Sequence, residues 1–223
     1  MIRAARFLGL PESYREAAPT AFVAPDNLRF VEERAAGRRI LDYGCGAGGY
    51  SLALAQRGFE CVAVDVDAEL VAHARDAGVD ARVVDAGARL PFDDGSFDTV
   101  ILFETLEHVR DYEQVLREAR RVARANVLIT VPDCTATPLL ARASVVFDHY
   151  LADDHVNFFS VDEIGAALSR VFARHDVHQG NYIDLALFRE LFPLPIAYAA
   201  AALMRLRLMR PRLSYRLFAD ARV

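Results

Sequence analysis

Two groups of residues in this chain have types and spacings suited to chemistry. One is Glu104-Thr-Leu-Glu107-His108, followed much later by Asp153-Asp-His155-Val-Asn-Phe-Phe-Ser160. If a helical turn begins at Glu104, positions i, i+3 and i+4 share a face, and two carboxylates and an imidazole converge. Such a cluster is costly without a counter-charge, which makes a divalent cation its natural partner. Oxygen-rich ligation with one or two imidazoles suits Mg2+ or Mn2+ better than a structural zinc, which prefers thiolate and imidazole. His155 offers a fourth ligand. The same residues also admit two plainer roles. His155 would serve as a general base without metal, or the run would be structural, with Glu107 bonding backbone and His108 packing.

The other group is Ile40 to Leu54, ILDYGCGAGGYSLAL. A short apolar run leads to Asp42, then glycines at 44, 46, 48 and 49, then a helical pattern. Strand, glycine turn and helix let backbone N–H groups approach a ligand closely, because no Cβ intervenes. Taken alone, Gly44, Gly46 and Gly49 as G-x-G-x-x-G would suit a dinucleotide site equally well. Three acids sharpen the reading. Asp42, Asp65 and Asp85 each fall at or just past the carboxyl end of a successive strand, the edge where open parallel sheets bind ligands. Asp65, about 20 residues beyond the glycines, is placed to accept from both ribose hydroxyls. Asp85-Ala86 would meet an adenine amino group, and Asp42 would face an ammonium or set the loop. Ribose, adenine and a zwitterionic tail fit these points better than a dinucleotide. Helix capping is the plain role for any one aspartate, but not for three in register.

The elements that must carry these residues follow from apolar patterning. Asp26 is expected to cap a helix to about Arg34. Strands are expected at 38–43, 60–64, 81–84, 98–103 and 126–131, with helices at about 49–57, 67–77 and 112–123 between them. Ser160 and Glu163 form a capping box ahead of another helix. Strands alternating with helices at this spacing imply a parallel sheet covered on both faces. At 223 residues, 53% hydrophobic and 26% charged, the chain has material for one such domain with additions. The net charge of −5 gives no general attraction to nucleic acid. All 26 basic residues are arginine, which rules out lysine-dependent chemistry. Cys45, Cys61 and Cys134 lie far apart and make no metal spacing. Reduced thiols, no signal-peptide pattern and no long apolar run lead to an expected cytoplasmic location.

ILDYGCGAGG, VAVDVD, VVDAGARLPFDDGSFDTVILFETLEHV and NVLITVP resemble, in order and spacing, the successive motifs of class I S-adenosylmethionine-dependent methyltransferases of the type 11 kind. The resemblance covers roughly residues 38–131. It implies a Rossmann-like α/β fold with a seven-stranded, mostly parallel sheet, and S-adenosylmethionine as methyl donor. By motif position Gly44, Gly46 and Gly48 would pass the methionine part. Asp65, with Val66 beside it, would hold the ribose. Asp85 and Ala86 would meet the adenine, and Phe103 would lie near the methyl group. E-x-x-E-H with a later histidine resembles the metal-dependent O-methyltransferases of small-RNA 3′ ends, and in its first part the ubiquinone-pathway O-methyltransferases. That resemblance implies Mg2+ or Mn2+ held by Glu104, Glu107, His108 and His155, with His108 and His155 serving catalysis.

The methyltransferase domain is expected over 1–192, with a lead-in over 1–25 that could cover a ligand. Residues 193–223 join an apolar run to Arg205, Arg207, Arg210, Arg212 and Arg216. They read as a basic amphipathic helix with a tail after Pro211, suited to peripheral contact with an acidic membrane or to packing on the protein itself. The function expected is methyl transfer to a small-molecule or glycan acceptor, at oxygen. The competing readings are an NAD(P)-dependent oxidoreductase and a non-catalytic S-adenosylmethionine-binding module.

Overall fold

The computed structural model describes residues 19–20, 23–85, 87–137, 152, 154–184 and 212–223, the side chains of residues 183, 184 and 212 excepted. Its elements run α1 (Pro25–Arg34), β1 (Arg39–Tyr43), α2 (Gly49–Ala55), β2 (Glu60–Asp65), α3 (Ala68–Asp76), β3 (Asp80–Val83) and β4 (Phe97–Phe103). A 3-10 turn (Leu106–His108), α4 (Tyr112–Val122), β5 (Ala123–Pro132), α5 (Val161–Ser169), β6 (Arg174–Asp184) and β7 (Arg212–Arg222) complete them. One seven-stranded sheet has the order β3-β2-β1-β4-β5-β7-β6. The first five strands pair in parallel, while β7 is antiparallel to both β5 and β6.

The alternation of side chains along each strand splits the core in two. Leu41, Val100, Leu102 and Ile129 face α4 and α5, meeting Leu116, Ala119, Ile164 and Leu168. Ile40, Ile101 and Leu128 face the other way, onto Leu28 and Val31 of α1 and Leu54 of α2. Strands buried on both faces need near-continuous apolar runs, and VILF in β4 and NVLITV in β5 supply them. This is the fold expected from the sequence, a parallel sheet sandwiched by helices.

Two boundaries depart from expectation. Asp26 does not cap α1; Ala24 occupies that position and Pro25 enters the first turn, where its fixed φ is already helical. Asp26 instead lies in the first turn, where its charge suits the helix N-terminus. The tail expected after Pro211 is strand β7. Leu217, Ala219 and Ala221 join the core on the α4 and α5 side while Phe218 joins the opposite one, the alternation of a strand and not of a helix or tail. Arg216 pairs with Pro132 of β5 and Gly180 of β6. The apolar run before it, with Arg205, Arg207 and Arg210, lies outside the described residues.

The expected caps at Asp67 and Ser160 are present. Ser160 forms a complete capping box with Glu163, the hydroxyl accepting from the Glu163 N–H and the Glu163 carboxylate accepting from the Ser160 N–H. Ser160→Ala should cost about 1 kcal/mol of stability, read as a fall in the urea midpoint with an unchanged slope. A midpoint equal to wild type would show the box to be dispensable.

Candidate active site

The glycine turn is built by its backbone. Gly44, Gly46 and Gly48 have φ of 87°, 52° and 81°, the left-handed region that suits glycine. A Cβ on Gly44 would also stand 2.5 Å from the side chain of Thr105. The N–H groups of Gly44 and Cys45 both donate to the Val64 carbonyl, at 2.8 and 3.1 Å, folding the turn over the end of β2. Asp65 then braces it: one carboxylate oxygen accepts from the Gly46 N–H at 2.7 Å, the other from the Asp67 N–H at 2.9 Å. Val66, next in the chain, is an apolar side chain left 56% exposed at this edge. Asp85 is exposed just beyond β3, and Ala86 lies outside the described residues. At the far side of the turn, the Pro19 carbonyl oxygen packs so close to Gly49 that a Cβ there would sit 2.1 Å from it. The described end of the lead-in therefore lies against the glycine turn.

Asp42 is buried and accepts a hydrogen bond from Ser51 Oγ of α2 at 2.7 Å. Of the two roles open to it from sequence, this contact is the one that sets the turn onto its helix. Burial pushes its carboxyl from the usual 3.8 up to about 6, the Ser51 bond opposing and Asp65 adding to the shift. Burial likewise pushes the Cys45 thiol far up, so it stays protonated and is no nucleophile.

At the end of β4, Phe103 is buried and meets the Tyr50 ring edge-on, centroids 5.1 Å apart. Glu104 then takes φ 51° while its N–H donates to the Thr130 carbonyl at 2.9 Å. This left-handed residue breaks the helical turn expected to start there; the 3-10 turn begins only at Leu106. Glu104 and Glu107 consequently do not share one helical face, and they meet different partners. Glu104 Oε1 accepts from Thr130 Oγ1 at 2.9 Å and lies 3.0 Å from Nε of Arg216, whose Nη2 donates to Oε2 at 3.3 Å. Arg216 Nη1 donates to Asn27 Oδ1 of α1 at 3.1 Å, and Asn27 Nδ2 donates to the Tyr50 hydroxyl at 2.9 Å.

The other three residues do converge. Glu107, His108 and His155 place one ligand atom each within 4.8 Å of the other two. The imidazoles of His108 and His155 meet edge to face with centroids 4.7 Å apart. The segment after His155 is pinned to the turn: Val156 and Asn157 N–H groups donate to the Glu107 carbonyl at 2.8 and 3.0 Å. Asn157 Nδ2 adds bonds to the carbonyls of Leu106 and Val109 at 2.8 and 2.7 Å. Glu107 is buried, and its Oε2 accepts no hydrogen bond among the described residues. Burial, with Glu104 nearby, holds its carboxyl well above the usual range. Asp154 Oδ2 lies 3.3 Å from Nδ1 of His108.

The sequence reading missed Arg216, Asn27, Thr130 and Asn157. Alternation of Leu213, Tyr215 and Leu217 with Ser214 and Arg216 would have signalled the strand. No signal tied Arg216 to Glu104, because the contact spans 112 positions.

A model of the methyltransferase domain matches residues 41–131. The chain is 33% identical over 160 residues to a demethylmenaquinone methyltransferase of Corynebacterium glutamicum, covering 66% of this chain and 69% of that one. It is 33% identical over 145 residues to a ubiquinone biosynthesis O-methyltransferase of Xanthomonas euvesicatoria, covering 60% of this chain but only 59% of that protein's length. In structure it is similar to an S-adenosylmethionine-dependent methyltransferase of Archaeoglobus fulgidus, with TM-score 0.67, 16% identity and coverage of 89% of this chain and 92% of that one. The oxidoreductase reading falls on these matches and on the sheet: dinucleotide folds run 3-2-1-4-5-6, whereas here antiparallel β7 separates β5 from β6.

Because Asp42 titrates near 6 when folded and near 3.8 otherwise, folding binds a proton between those values and stability falls as pH rises through that window. Wild type should therefore lose stability relative to Asp42→Asn from pH 4 to pH 6 and run parallel to it above. Denaturant midpoints across that range test this; a constant difference would contradict it.

Proposed function

The chain belongs to the class I S-adenosylmethionine-dependent methyltransferases, and from that premise we propose that it methylates an oxygen of a small acceptor bearing neighbouring oxygen atoms, with a divalent cation at Glu107, His108 and His155. The observation that carries the proposal is the convergence of those three side chains beside the end of β4. Their donor set suits a cation: a buried carboxylate with an oxygen that has no hydrogen-bond partner among the described residues, and two imidazoles. A cation held there would supply Lewis-acid polarisation of an acceptor hydroxyl. The names of the relatives support the acceptor class, since both act in quinone pathways and one is an O-methyltransferase.

The chain's own residues divide the remaining work. The glycine turn gives the donor's methionine part close backbone contact, with Asp65 bracing the turn and accepting from the ribose. Val66 and Asp85 flank the adenine, and Phe103 backs the methyl group. His108 has Nδ1 3.3 Å from Asp154 Oδ2, the kind of carboxylate partner that commonly orients a ligating histidine. Transfer is a single displacement: the acceptor oxygen bonds the methyl carbon as the carbon–sulfur bond breaks, leaving neutral S-adenosylhomocysteine. The hydroxyl proton passes to water. No covalent enzyme intermediate is needed, and the protonated Cys45 offers no nucleophile.

Labelled S-adenosylmethionine with catechol-type and single-hydroxyl acceptors tests the reading. Catechol-type acceptors should be methylated, with turnover lost to EDTA, restored by Mn2+, and lowered a hundredfold or more in Glu107→Gln while S-adenosylhomocysteine binding persists. Full turnover in EDTA would remove the cation from the mechanism. Separately, Gly44→Ala should weaken S-adenosylhomocysteine at least about tenfold by calorimetry, because alanine at φ 87° is strained and meets Thr105. Unchanged affinity would mean that the turn does not contact the donor.

A further inference from the structure

Glu104 is the first acid of the E-x-x-E-H run, yet its carboxylate is already committed. Arg216 Nη2 donates to Oε2 at 3.3 Å and Nε lies 3.0 Å from Oε1 as an ion-pair contact without a hydrogen bond, while Thr130 Oγ1 donates to Oε1 at 2.9 Å. Arg216 is itself largely enclosed, its side chain 12% exposed, and is tied to buried Asn27. A guanidinium cannot shed its charge. Withdrawing Glu104 to serve a metal would strand that charge among buried groups, which is the expensive way to break an ion pair. The backbone opposes the move as well. The left-handed φ of 51° at Glu104, with its N–H bonded to the Thr130 carbonyl, takes Glu104 off the helical face it would otherwise share with Glu107 and His108. The group that could hold a metal among the described residues accordingly contains Glu107, His108 and His155 without Glu104.

We propose that Arg216 withholds Glu104 from the cation site, leaving a one-carboxylate, two-imidazole set that takes a transition-metal ion in preference to Mg2+. The inference rests on the cation-assisted reading above. Mg2+ favours oxygen ligands in near-ideal octahedral geometry, whereas imidazole suits the later transition-metal ions such as Fe2+, Ni2+ and Zn2+, with Co2+ among them in the affinity series and Mn2+ at its weak end. Arg216 acts here as a positioning residue: it fixes where Glu104 points and touches no reacting atom.

The test is calorimetric titration of the full chain, with S-adenosylhomocysteine present, by Co2+, Mn2+ and Mg2+ in turn, with Co2+ absorption as a second readout of ligation. Wild type should bind Co2+ at least about tenfold more tightly than Mg2+, with Mn2+ weaker than Co2+. Glu104→Gln should leave the Co2+ and Mn2+ affinities within about twofold, whereas Glu107→Gln or His155→Ala should lower them more than tenfold. Retained S-adenosylhomocysteine binding certifies the fold of each variant, and the comparison of ions on wild type stands without any variant. Mg2+ binding as tight as Co2+, or a tenfold loss in Glu104→Gln, would overturn this inference and leave the cation-assisted reading intact. Failure of every ion to bind wild type would remove both.

Discussion

The end of β4 depends on a half-buried ion pair that only the last strand can complete. Glu104 follows β4 directly, at the sheet edge that also carries the glycine turn and the Glu107–His108–His155 cluster, and it reaches α1 through Arg216 and Asn27. Its charge is met by Arg216, delivered by β7 after the chain has run through β6 and back. The insertion of β7 between β5 and β6 is thus more than a topological signature. The β5–β7 ladder places Arg216 opposite Pro132, within reach of Glu104 on the neighbouring strand. Asn27 extends the contact to α1, and Thr130 extends it to β5.

This arrangement separates two acids that the sequence places three residues apart. Glu104 is neutralised by a fixed cation and keeps a hydrogen-bonding partner at each oxygen. Glu107 sits in the opposite situation, buried with one oxygen that has no hydrogen-bond partner among the described residues, so its charged form is disfavoured until a positive group arrives. The same division recurs at the donor end. Asp65 stays at the edge with two backbone N–H partners, while Asp42 is buried behind it with Ser51. At each end one acid is settled by the fold and another is left in an environment that sets its chemistry.

Much of the fold was legible because it rests on local signals. The strand and helix order through residue 131 follows from apolar runs and caps, and the positive φ angles at Gly44, Gly46 and Gly48 fall where the sequence supplies glycine. The pairing of His155 with the E-x-x-E-H run was anticipated in outline. What holds it, the bonds of Val156 and Asn157 to the 3-10 turn, has no periodicity to read. The C-terminal strand was misread because its arginines suggested a helix face, although its apolar residues alternate with period two.

The sequence by itself determined the parallel sheet, the glycine turn and the three strand-end acids, because backbone geometry and strand ends are set by neighbours in the chain. Tertiary structure alone decided which acids of E-x-x-E-H act together. Local spacing put Glu104, Glu107 and His108 on one helical face, but a left-handed residue and a guanidinium from 112 positions away turned Glu104 out of it. The energy that decides the matter is that of a largely enclosed guanidinium and its carboxylate partner, which no local window contains.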